Sequence, residues 1–127
     1  MKTVFTIILF ALFSIGVHAQ SNKGMIKVSV MYPNAEGKSF DMDYDLTKHL
    51  PMVSGLLGDA LISASAEKGL GGAEPGTLAT YKAAGTMYFS SLEDFQSASD
   101  PNAEKIMGDL ANFTDIKPVM PVSEVML

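Results

Sequence analysis

The side chains that can do acid–base chemistry gather in one stretch, Phe40 to Val53 (FDMDYDLTKHLPMV). It holds His49, Asp45 and Tyr44. Read as a helix, the stretch places Leu46, Leu50, Val53 and Leu57 on one apolar stripe, with His49 at its border beside Met42, Met52 and Leu56. Asp45 lies four residues before His49, a spacing at which its carboxylate can orient the imidazole. Pro51 has no N–H to give the Thr47 carbonyl, so the helix should kink or loosen there. A histidine at such an irregularity, half in the core and near an acid, suits a general acid or base. The same pattern also fits a border histidine that hydrogen-bonds Asp45 or backbone and only packs.

Composition narrows the chemistry. The 127 residues are enough for one domain. Without cysteine there are no disulfides, thiolate nucleophiles or zinc–cysteine sites. The basic residues are all lysine and the net charge is −5, which argues against nucleic-acid binding. The nine methionines are scattered, as core filler is, rather than grouped as copper ligands.

The N-terminus reads as an export signal: Lys2, the apolar run Val4 to Ile15, and a small-residue cleavage site at Val17-His18-Ala19. Residues 1–19 are the expected signal peptide, 20–24 a short linker and 25–127 one domain. The apolar run is too short to span a bilayer, so no stable membrane insertion is expected after cleavage. The mature chain is expected to be exported, periplasmic or extracellular. Its single histidine, His49, rules out a multi-histidine metal site within one subunit.

The elements that must position His49 follow from periodicity. Met25 to Tyr32 alternates as a strand, with Ile26, Val28, Val30 and Tyr32 on one face. A helix from Asp41 to Leu57 follows, capped by Asp41 or Asp43 and ended at Gly58. Leu61 to Lys68 is a weaker strand. Gly69 to Gly76 is a loop whose glycine spacing does not make a phosphate cradle. Thr80 to Phe89 is the third strand, with Gly85 marking a close approach or a bulge. Ser90 to Glu93 is a capping box for a helix carrying Leu92, Phe95 and Ala98 inward. A further helix starts at Asp100-Pro101. Val119 to Val125, with its prolines, is an edge strand. The order β-α-β-β-α-β predicts an α+β, ferredoxin-like antiparallel sheet with helices on one face. The bare sheet face predicts a two-fold homodimer.

The chain resembles the EthD family of dimeric α/β barrel proteins. The likeness runs from Met25–Asn34 through F-D-x-D-Y-x-L-x-x-H-x-P (Phe40 to Pro51) to Ile106-Met107-Gly108-Asp109, Asn112, Thr114–Ile116 and Pro118-Val119. The family is linked to oxidative degradation of ethyl tert-butyl ether, and its members often carry a reductase label. The wider superfamily holds cofactor-free monooxygenases, lactone isomerases, polyketide cyclases and haem enzymes. The resemblance implies a small apolar organic ligand in a cavity between sheet and helices, and His49 matches the histidine of the H-x-P motif. His49, Asp45 and Tyr44 are then the candidate catalytic residues, and Tyr32, Met52 and Tyr88 the candidate substrate-binding ones. No cofactor is expected, because no dinucleotide motif is present. Two positions depart from the family pattern: Asn102 stands where many members have histidine, and Phe113 where many have tyrosine. The resemblance leaves open an oxidoreductase or a cofactor-free lyase, isomerase or monooxygenase. The alternatives are a non-catalytic small-molecule binding protein and, behind it, a haem-binding protein with His49 as axial ligand.

Overall fold

The computed structural model describes residues 21–127; the proposed signal peptide and its cleavage site lie outside them. Four antiparallel strands form one sheet in the order β2-β3-β1-β4: β1 Ile26–Pro33, β2 Ser63–Lys68, β3 Tyr81–Phe89 and β4 Val122–Glu124. Together with the intervening helices this is the ferredoxin-like β-α-β-β-α-β arrangement that the periodicity predicts. β4 is an edge strand and shorter than expected. Val119 makes only an isolated bridge to Met31 before Pro121 interrupts the ladder.

β1 and β3 alternate strictly. Val28, Tyr32, Ala83 and Phe89 are buried under the helices. The opposite face carries Lys27, Ser29, Met31, Ala84, Thr86 and Tyr88. On that open face the Glu67 carboxylate accepts hydrogen bonds from the Ser65 and Thr86 hydroxyls.

The helical stretch after β1 is not one regular helix. Asp41 caps α1 (Met42–Tyr44), its carboxylate accepting from the Tyr44 N–H. Asp45–His49 then form a π-helical turn, closed by the Leu50 N–H bonding the Asp45 carbonyl. α2 (Leu50–Leu57) follows, with Pro51 in its first turn, where a missing N–H is tolerated. The irregularity expected from Pro51 is therefore a widened turn upstream of it. That turn aims both Asp45 and His49 inward. Gly58 ends α2 at φ +57°, a conformation that favours glycine.

After β3, Ser91 caps α3 (Leu92–Ser99), one residue later than predicted, accepting from the Asp94 N–H. α4 (Ala103–Gly108) completes the layer. Two clusters make the core. Val28, Val53, Leu57 and Phe89 form one; Tyr32, Ala83, Phe113 and Ile116 form the other.

Candidate functional site

A cavity of about 470 Å³ lies between the sheet and the helices, bordered by members of both core clusters. Its floor is made of small residues, Ala64, Ala66 and Gly85, and its opposite wall of Leu46, Leu50, Val53 and Leu57. Gly85 pairs in register with Val30 and Ala66, without a bulge, and no backbone crowds it. Its missing side chain is room for the cavity. Three titratable side chains border this largely apolar space: Tyr32 from β1, and Asp45 and His49 from the π turn.

The imidazole of His49 is 4 % exposed. Its Nδ1 lies 2.8 Å from Oδ2 of Asp109, at the end of α4. The other oxygen of Asp109 accepts from the Tyr44 hydroxyl at 2.9 Å and from the Asn112 side-chain amide at 2.9 Å. The Asn112 bond first, then that of His49, hold the Asp109 carboxyl below the usual carboxylate range. An ionised carboxylate only accepts, so Nδ1 carries the proton and donates. The Phe113 ring packs against the imidazole at 4.6 Å and fixes its tilt. Nε2 makes no hydrogen bond within the described residues. Every fully buried side-chain nitrogen or oxygen there has a partner, so Nε2 reaches open space on the cavity side.

By the same argument the Asp45 carboxylate and the Tyr32 hydroxyl, neither of which bonds a described residue, reach the cavity they line. Burial pushes the Asp45 carboxyl above its usual value, and the His49 ring partly offsets this. Burial, then the Asp45 charge, pushes the Tyr32 phenol far up, so its hydroxyl stays a donor.

The arrangement corrects several expectations. The hydrogen bond foreseen between Asp45 and His49 is not made; Asp109 takes that place. Tyr44 does not border the cavity and instead steadies Asp109 from behind. Met52 packs into the core beside Val53 and Leu57, and Tyr88 lies on the open sheet face, so neither lines the cavity. Local spacing does not single out Asp109, which the structure places on His49. Its signal was its presence in the Ile106–Asp109 block with Asn112 three residues on. Asn102, the first departure, donates to the Ala98 carbonyl at 2.8 Å and ties α3 to α4. Phe113, the second, is the ring against His49. Among the described residues no three His, Asp or Glu side chains converge to hold a metal ion.

Comparison with known proteins agrees with this fold. The EthD domain profile matches residues 36–117. The chain is similar to the crystal structure of an EthD-like protein from Ralstonia eutropha, with 43% identity and a TM-score of 0.78 over 83% of this chain and 95% of that one. It is similar to an ethyl tert-butyl ether D (EthD) family protein from Bacillus halodurans, with 18% identity and a TM-score of 0.62 over 80% and 99%. A dimeric protein of unknown function with a ferredoxin-like fold from Bacteroides fragilis shares 14% identity and a TM-score of 0.50 over 82% and 99%. No curated protein matches the chain.

Proposed function

The chain belongs to the EthD family, and from that premise we propose that it binds a small, mostly apolar organic molecule in the cavity and moves a proton on it with Nε2 of His49. The observation that carries this reading is the His49–Asp109 hydrogen bond of 2.8 Å, which fixes the tautomer and leaves Nε2 to the cavity. Three titratable groups that face mostly apolar walls have the pattern of a ligand site.

The test is to purify the chain from its native host, extract it and identify co-purifying small molecules by mass spectrometry. One organic species bound to the wild type and lost from Gly85→Leu, whose side chain fills the floor, is the expected result. An empty wild type, or equal retention by Gly85→Leu, would contradict cavity binding. On incubation the wild type should convert that species and His49→Gln should not. Equal conversion by the variant removes the proton-transfer role, and retention without conversion by either leaves a binding protein.

The functional unit is proposed to be a homodimer joined through the open sheet face, where Met31, Ala84 and Tyr88 lie among polar groups. The Bacteroides fragilis protein of like fold is described as dimeric, which supports the pairing. Sedimentation should give twice the subunit mass; a stable monomer at low micromolar concentration would exclude it. Export remains proposed from Lys2, the apolar run and the Val17-His18-Ala19 site. An N-terminus near Gln20 in the native protein is the expected observation, and an intact Met1 in a cytoplasmic fraction the contrary one.

A further inference from the structure

The geometry points to Tyr32 and Asp45 as an anchoring pair for the hydroxyl of an uncharged ligand, a phenol or alcohol, with ionised carboxylates turned away. This rests on the cavity-binding reading and names the class of molecule that the cavity takes.

Tyr32 is held on all but its polar end. Its ring lies 4.7 Å from Phe40 and 6.2 Å from Phe113, and the residue is 4 % exposed. Asp45 is fixed by the π turn, with its backbone N–H on the Asp41 carbonyl and its carbonyl on the Leu50 N–H. Both polar ends face the cavity without a partner among the described residues. A ligand that fills the cavity strips water from both ends, and a polar group desolvated without a partner is costly, so a ligand that pairs both is preferred over one that pairs one or neither. Tyr32 donates; an ionised Asp45 accepts. A hydroxyl is the smallest group that accepts from the first and donates to the second. A ketone pairs only Tyr32, and a hydrocarbon pairs neither.

The charge balance excludes anions. Among the described residues no lysine borders the cavity, and the chain has no arginine. The Nδ1 side of His49 is already committed to Asp109. A ligand carboxylate would meet the Asp45 charge with only the far nitrogen of His49 to offset it.

Three probes with one ring skeleton test this by fluorescence titration: naphthalene, 2-naphthol and 2-naphthoate. In the wild type 2-naphthol should bind roughly three- to tenfold tighter than naphthalene, the worth of a net hydrogen bond or two, and 2-naphthoate more weakly than either. Tyr32→Phe, which keeps the ring packing, should remove most of the naphthol preference and leave naphthalene unchanged. Asp45→Asn should strengthen 2-naphthoate binding. Equal binding of naphthol and naphthalene, or a naphthol preference intact in Tyr32→Phe, overturns the anchoring pair while cavity binding stands. Failure of all three probes to bind, or naphthalene binding undiminished in Gly85→Leu, overturns cavity binding and the anchoring pair with it.

Discussion

His49 and Asp109 meet at 2.8 Å across 60 positions of sequence, one on the π turn, the other where α4 gives way to a 3₁₀ turn. Asp109 accepts from Tyr44 and Asn112 as well, so its orientation is over-determined. A carboxylate held this way sets which ring nitrogen carries the proton, and hence which is free to react.

Asp109→Asn should therefore uncouple the imidazole. An amide cannot accept on both ends, so one of the three donors loses its acceptor. The cost is about 1 kcal/mol, or about 4–8 °C in melting temperature for a domain of this size. The pH dependence has a definite sign. The folded carboxyl titrates below its ordinary value of 3.8. Its contribution is thus complete above that value and is lost as pH falls through the lower folded one. Thermal melts should show the wild type losing its advantage over Asp109→Asn below about pH 4. A constant gap down to pH 2 would mean that the carboxylate charge is immaterial.

Asp45 predicts the opposite sign. Burial raises its folded pKa above the ordinary 3.8. The ionised form therefore costs stability above the folded value, and the cost is absent below the unfolded one. Asp45→Asn should stabilise the protein at pH 7, by about 0.5–2 kcal/mol, in the range of other stabilising replacements. The gain should shrink as pH falls toward 4. A destabilised Asp45→Asn at pH 7 would show that the carboxylate serves the fold and not the cavity.

The strand faces were legible because a half-buried strand alternates. Val28, Tyr32, Ala83 and Phe89 fell where period two put them. His49 was legible as the one histidine after the apolar N-terminus. Its partner was not. Local spacing nominates Asp45, four residues away, whereas the residue that makes the bond arrives from a different helix. Pro51 announced a disturbed helix, yet only the backbone shows that the disturbance widens the turn before the proline. Residue type near the site nominates Tyr88 and Met52. Strand alternation and helix rotation turn them elsewhere.

Phe113 touches four rings, those of Tyr32, Phe40, Tyr44 and His49. Phe113→Leu keeps an apolar filler but loses the tilted ring contact with the imidazole. A stability loss of about 1–3 kcal/mol is expected, measured by urea unfolding. Conversion of the co-purified species should fall by more than its binding does, because a loosened His49 misplaces Nε2 while the apolar walls remain. Equal losses in both would assign Phe113 to the fold alone.

Gly85 offers the cleanest separation of fold from site. It sits in the middle of β3, a central strand, where glycine is normally a weakness and a β-branched residue a gain. Its φ is not among the positive ones, so no backbone conformation demands glycine. An added Cβ would meet nothing nearer than the Ser65 carbonyl oxygen at 3.9 Å. What it would occupy is the cavity floor between Val30 and Ala66. Gly85→Val should therefore fold with unchanged or higher stability, by up to about 1 kcal/mol. Naphthalene binding should weaken in the order Gly85→Ala, Gly85→Val, Gly85→Leu, as the added volume grows. Urea unfolding and fluorescence titration on the same three variants check both halves. A clear loss of stability in Gly85→Ala would show that the strand requires glycine for its own packing. Binding independent of side-chain size would show that the ligand sits away from this floor.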